Sequence, residues 1–227
     1  MLKDRLEKIQ ERIRRAAELA GRHPDSIELL AVSKTKPEAM IREAYELGIR
    51  RFGENYVEEL LTKSESTMDL DIQWVFIGQL QSRKIKNLMA RAHEIQTVAS
   101  EKHLRLISEQ LELTHRLEFP IYLHVNAEDE TQKFGMSPQD ALNLAEKAKA
   151  LYPRVNLLGI FSIPSEASSL LASKGETPKV FTELYELAQK IGQGRLSLGM
   201  SLDLESAIRS GSSCIRVGSD LFGSRIL

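Results

Sequence analysis

Lys34 follows directly on the apolar run Leu29-Leu30-Ala31-Val32-Ser33, where a lysine is neither solvated nor paired unless it points into an open mouth. An amine held out of water has a depressed pKa and can attack an aldehyde, so Lys34 is a candidate nucleophile. The plainer reading is a lysine that snorkels out of a strand end. Near the far end of the chain, CIRVGSDLFGSR places Arg216 in an apolar run and then a Gly218-Ser219-Asp220 turn. Backbone N–H groups at such a turn, with the Ser219 hydroxyl, can cradle a phosphate. The segment LSLGMS adds Ser201 as a second phosphate contact, with Gly199 permitting close backbone approach. Glycine and serine also fill ordinary turns, so each piece alone is weak. Together they offer an amine, an anion cradle and an arginine.

Such residues act as one site only if the fold gathers them. Leu2, Leu6, Ile9, Ile13, Ala16, Ala17 and Ala20 recur at helical spacing, and Gly21 follows as a stop, which predicts an amphipathic first helix. Eight short apolar runs then alternate with amphipathic stretches: ELLAVSK, RFGEN, QWVFIG, EIQTV, PIYLHVN, VNLLGIFS, RLSLGM and CIRVGS. Strands separated by helices predict parallel βαβ units, and eight of them close a barrel. The expected fold is therefore an α/β (β/α)8 TIM barrel with an additional N-terminal helix, one domain over residues 1–227. A doubly wound open sheet competes, but no Gly-x-Gly-x-x-Gly follows the first strand, which weakens its dinucleotide-binding form. A barrel would bring the strand ends, among them Ser33, Lys34, Glu54, Asn55, Gly78, Gln79, Asn126, Ser162, Ser201 and Arg216, to one mouth. Residues 162–178, rich in Ser, Pro and Gly, predict a mobile loop on that face. Asn55 would equally serve as an N-cap for a helix starting near Tyr56, and Gly53 and Gly78 as tight packing positions.

Charge names no partner. Lys+Arg number 31 against 32 Asp+Glu, so there is no positive field to gather nucleic acid or an anionic membrane. Cys214 is the only cysteine, which excludes an internal disulfide and a multi-cysteine metal site and suits a reducing compartment. The first residues are too charged for a signal peptide and no run of 18 apolar residues occurs, so a cytoplasmic protein is expected.

The segments AVSKTKP (31–37), RFGENYVEE (51–59), WVFIGQLQSRK (74–84), LHVNAEDETQKFGM (123–136), LSLGMSLDLESAI (196–208) and IRVGSDLFGSR (215–225) form an ordered set spanning almost the whole chain. That set resembles the pyridoxal phosphate homeostasis protein family, stand-alone barrels related to the barrel domain of alanine racemase. The resemblance implies pyridoxal 5'-phosphate as cofactor, with Lys34 as its Schiff-base lysine and Asn55 beside it. It further implies Ser201, Gly218 and Ser219 on the phosphate and Arg216 at the pyridine nitrogen. Lys36 and Lys133 are the alternative lysines. Gln79 and Ala99 depart from the family pattern, which puts mouth-lining contacts in question rather than the lysine.

The implied function is that of a carrier serving vitamin B6 homeostasis, which buffers the reactive aldehyde or passes it to PLP-dependent apoenzymes. A monomer is expected. An always-charged guanidinium can only donate, so a ring nitrogen facing it stays unprotonated and the cofactor is a poorer electron sink. The alternative is a small racemase-like enzyme. Alanine racemase draws a second base, a tyrosine, from an additional C-terminal domain of its partner subunit, and with the chain ending at Leu227 no such domain is expected. Of Tyr45, Tyr56, Tyr122, Tyr152 and Tyr185, only Tyr56 falls near a strand end. A phosphate-sugar barrel without cofactor is the blandest reading, and its protein would be colourless.

Overall fold

Leu2, Leu6, Ile9, Ile13, Ala16 and Ala17 form the buried face of α1 (Leu2–Leu19), as their spacing predicts. The chain leaves that helix through Gly21 at φ +66°, a conformation that costs glycine nothing. The computed structural model describes residues 1–128 and 134–223. Strands and helices then alternate: β1 (Glu28–Val32), α2 (Glu38–Glu46), β2 (Arg51–Glu54), α3 (Val57–Ser66), β3 (Gln73–Phe76), α4 (Ile85–Met89), β4 (Glu94–Val98) and α5 (Glu101–Leu113). The second half runs β5 (Phe119–Val125), α6 (Pro138–Leu151), β6 (Val155–Ser162), α7 (Glu166–Ser173), α8 (Lys179–Ala188), β7 (Arg195–Ser197), α9 (Leu204–Arg209), β8 (Cys214–Val217) and α10 (Ser219–Phe222).

The eight strands form a closed parallel barrel in sequence order. β1 closes the ring by pairing with β8, Leu30 lying opposite Arg216. Alternation along each strand sorts the apolar side chains into two clusters. Leu30, Val32, Val75, Ile77, Tyr122, Leu158, Phe161 and Cys214 fill the barrel. Ala31, Phe52, Trp74, Phe76, Ile215 and Val217 point outward into the larger cluster beneath the helices. Helix α10 has only four residues, too few to cover the seam between β8 and β1. The N-terminal helix lies there instead, packed against α9, α10 and α2.

Two segments differ from the sequence expectation. The stretch 162–178 is not a loop throughout, because it contains α7, capped by Ser165, whose hydroxyl accepts from the Ser168 N–H at 3.1 Å. Glu128 holds the same corner, accepting from the Ser165 N–H and from the Ser165 and Ser168 hydroxyls. RKIKNLMARA, one of the amphipathic stretches between the strands, is helical only in part, a 3-10 turn at Ser82–Lys84 running into α4. Among the described residues no helix is long and apolar enough to cross a membrane.

Candidate functional site

A cavity of about 440 Å³ opens at the C-terminal ends of the strands. Lys34, Asn55, Ser201, Arg216, Gly218 and Ser219 all line it, and Val32, Ile77 and Phe161 give it apolar walls. The fold thus brings together all six residues expected there. Gln79 and Ala99 do not line it, and neither does Asn126, so the family departures leave the cavity wall intact. Lys36 lines the rim and donates to the Gly223 carbonyl at 2.8 Å. Lys133 lies outside the described residues.

Lys34 sits half-buried in the turn after β1, and among the described residues its ammonium has no hydrogen-bond or ion-pair partner. The next residue, Thr35, is held at φ +61°, a region β-branched residues avoid. Its N–H donates to the Glu59 carboxylate at 2.8 Å. Lys63 ties the assembly together, donating to Glu54 at 2.8 Å, to Glu59 at 2.7 Å and to the Ser33 carbonyl at 2.8 Å. The Ser33 hydroxyl completes the cluster by donating to Glu54 at 2.7 Å. Burial pushes the Glu54 carboxyl above its ordinary range, opposed by Lys63 and Ser33. This support for the Lys34 turn was missed by sequence reasoning. Its one local signal is the i,i+4 spacing of Glu59 and Lys63.

Asn55 does not cap α3, whose N-cap position is Tyr56 with no side-chain bond. Its Oδ1 is buried and has no partner among the described residues. A buried carbonyl oxygen left unpaired beside a cavity marks a place where a donor belongs. Gly78 fixes the neighbouring backbone, since a Cβ there would lie 1.8 Å from the Asn55 carbonyl oxygen. The packing reading of Gly78 therefore holds, and so does that of Gly53, where a Cβ would meet Leu30 at 3.2 Å.

Arg216 is buried in the barrel rather than paired at the rim. It donates to the Ser197 hydroxyl at 2.8 Å and the Ser162 carbonyl at 2.7 Å, and it lies 4.3 Å from the centre of the Phe161 ring. Burial pushes its pKa down to about 10, which leaves it charged at neutral pH. A chain of hydrogen bonds runs on from it through the barrel. Ser197 donates to Gln96 at 2.7 Å, Gln96 to Glu94 at 2.7 Å, and Glu94 accepts from Arg51 at 2.8 Å. Glu94 and Gln96 alternate along β4, which is the sequence signal for two inward-facing polar residues.

His124 on β5 meets Phe161 edge-on at 4.9 Å. Burial, reinforced by Arg216, lowers its pKa from 6.5 to about 4. The unfolded chain therefore takes up this proton first, so the stability present above pH 6.5 falls as pH drops toward 4. The loss for this one group is at most about 3 kcal/mol. Denaturant unfolding of the cofactor-free protein across this range should show a steeper decline for wild type than for His124→Gln. Parallel curves would remove His124 from the explanation.

Comparison with known proteins places the chain in a family. A family model described as the alanine racemase N-terminal domain matches residues 5–226. A Pseudomonas aeruginosa protein named pyridoxal phosphate homeostasis protein is 40% identical over 225 residues, covering 98% of this chain and 95% of the relative. The chain belongs to the pyridoxal phosphate homeostasis protein family. A member from Aquifex aeolicus is 36% identical over 228 residues, covering 98% of this chain and 97% of its own. PipY of Synechococcus elongatus, solved with PLP bound, superposes with a TM-score of 0.79 at 31% identity, covering 93% of this chain and all of PipY. Alanine racemase from Corynebacterium glutamicum shares the fold, with a TM-score of 0.67 at 16% identity over 96% of this chain and 61% of the racemase.

Proposed function

We propose that this chain binds pyridoxal 5'-phosphate as a Schiff base on Lys34 and holds it for vitamin B6 homeostasis rather than for turnover. The observation that carries this reading is the cavity itself, whose lining includes an amine and a buried Asn55 Oδ1 that both lack a partner among the described residues. Both groups fit a cofactor that has an aldehyde and a neighbouring hydroxyl. When bound, the cofactor supplies an aldehyde that condenses with the lysine amine and releases water. Asn55 would accept a hydrogen bond from it, Ser201, Gly218 and Ser219 would hold its phosphate, and Phe161, Ile77 and Val32 would keep water from its ring.

Arg216 would face the ring nitrogen. Charged and able only to donate, it would keep that nitrogen unprotonated and so restrain carbanion chemistry. Arg216→Glu is expected to shift the absorbance of the bound cofactor and to raise side reactions with amino acids. An unchanged spectrum and unchanged reactivity in a folded Arg216→Glu protein would mean that the arginine does not face the ring.

The carrier reading is also supported by the titratable groups at the cavity. Besides Lys34 and Arg216, the described lining residues supply Lys36, bonded to Gly223, and Asp203, which accepts from the Met200 N–H at 2.6 Å and the Ser169 hydroxyl at 2.7 Å. Neither a tyrosine nor a histidine is among them. Delivery of the cofactor to PLP-dependent apoenzymes extends the same reading. The test is to add amino acids to the loaded protein in D2O and follow α-proton exchange and optical activity. Exchange no faster than with free cofactor is expected, whereas catalytic racemisation would favour a small racemase-like enzyme.

A further inference from the structure

Ser201 and Ser219 reach the cavity from two different loops, one after β7 and one after β8. Little backbone joins those loops. β7 has only three residues and its register with β8 is Ser197 opposite Cys214. The backbone bonds between them end with the Arg216 N–H donating to the Gly199 carbonyl at 3.0 Å, and none follows among the described residues. Beyond that point the connection is a side chain from α1. Arg12 grips Glu205 of α9 with two nitrogens, Nε at 2.6 Å and Nη2 at 3.0 Å. Its Nη2 also donates to the Ser201 carbonyl at 2.8 Å, and its Nη1 to Asp220 at 3.2 Å. One guanidinium thus bonds Ser201 in the loop three residues ahead of α9, the first turn of α9 and the first turn of α10.

We propose that Arg12 is a positioning residue for the phosphate end of the cavity, clasping the loop that carries Ser201 to the turn that carries Gly218 and Ser219. The inference rests on the proposed phosphate site and adds a cause for its geometry. Arg12 does not line the cavity, so it acts through the loops rather than on the ligand. A planar fork suits the task because three acceptors at fixed directions must be met at once, which an ammonium on a flexible stem does poorly. The clasp lies outside the buried core, its side chain 33% exposed and the Glu205 and Asp220 carboxylates 37% and 42% exposed, so its loss leaves the packing of the barrel untouched. Helix α1 is held down by its apolar face. Loss of Arg12 should therefore loosen the anion cradle and leave the barrel standing.

The experiment titrates wild type, Arg12→Ala and Arg12→Lys, each free of cofactor, with pyridoxal 5'-phosphate and with pyridoxal, and records thermal unfolding. Affinity for the phosphorylated ligand is expected to fall about tenfold in Arg12→Ala, the weight of roughly one charge-assisted hydrogen bond, and nearly as far in Arg12→Lys. Affinity for pyridoxal should stay within about twofold of wild type, since pyridoxal lacks the phosphate that the clasped loops would hold. Equal losses for the two ligands would overturn the proposal in favour of general loosening. Wild-type behaviour of Arg12→Lys would overturn it in favour of a through-space charge, and no change in Arg12→Ala would overturn it outright. Should Arg12→Ala fail to fold, Glu205→Gln removes one anchor, and unchanged affinity for the phosphorylated ligand there would equally count against the clasp. If wild type itself binds the two ligands equally, the phosphate site fails first, whatever the variants do.

Discussion

Lys34→Ala is expected to abolish the covalent adduct while leaving the barrel folded. The side chain is half-buried and makes no hydrogen bond or ion pair among the described residues, so its removal breaks no bond of the fold. The Thr35 turn is held from the other side, by Glu59 and Lys63. The stability change should stay within about 1 kcal/mol, as for surface positions free of special contacts. Loss of the adduct should instead be complete, because Lys36, the other lysine lining the cavity, is bonded to the Gly223 carbonyl. Borohydride reduction after incubation with pyridoxal 5'-phosphate, followed by intact mass, reads this directly. A trapped adduct on the Lys34→Ala protein would shift the assignment to another lysine. Lys36 is the first to examine, since it lines the same cavity two residues on.

The second large effect concerns the phosphate. Pyridoxal should still react with Lys34 but bind far more weakly than its phosphate ester. Charge-assisted hydrogen bonds contribute roughly 1.5–3 kcal/mol each, so losing two or three of them lowers affinity by at least about a hundredfold. Ser219→Ala removes one such contact and should cost about tenfold. Gly218→Val should cost more. A Cβ at Gly218 would sit 3.3 Å from the Val32 carbonyl oxygen, so a branched side chain has to push the turn away from β1 and out of its place at the cavity. Titration of the three proteins with both ligands measures all of this. Equal affinity of wild type for the two would leave Gly218 and Ser219 as an ordinary strand-to-helix turn.

What could be read ahead of the structure follows from how local each signal is. The eight strands were legible because each is a short apolar run bounded by turn residues, and their number with intervening helices determines closure. The site was legible because a barrel sends every strand end to one mouth, which puts Lys34 and Ser219 side by side although 185 positions separate them in the chain. Helix α7 was hidden by composition, since SEASSLLAS looks like loop until Ser165 is recognised as its cap. The contacts that support the site were hidden for another reason. Arg12 looks like any charge on the polar face of an amphipathic helix, and only tertiary packing brings it to Glu205 and Asp220. Arg216 was expected near a ring, but its anchorage through Ser197 and Gln96 to Glu94 crosses three strands. No periodicity within one segment encodes a bond between segments.

The central claim is that this cavity carries the cofactor on Lys34, and it is tested most directly on the wild-type protein. Purified protein incubated with pyridoxal 5'-phosphate, desalted, reduced with borohydride and digested should give a single modified peptide. A near-visible absorbance band that borohydride removes is expected, together with the pyridoxyl mass on the peptide containing AVSKTKP, localised to Lys34. A protein that stays colourless, or a label found on a lysine outside the cavity, would contradict it.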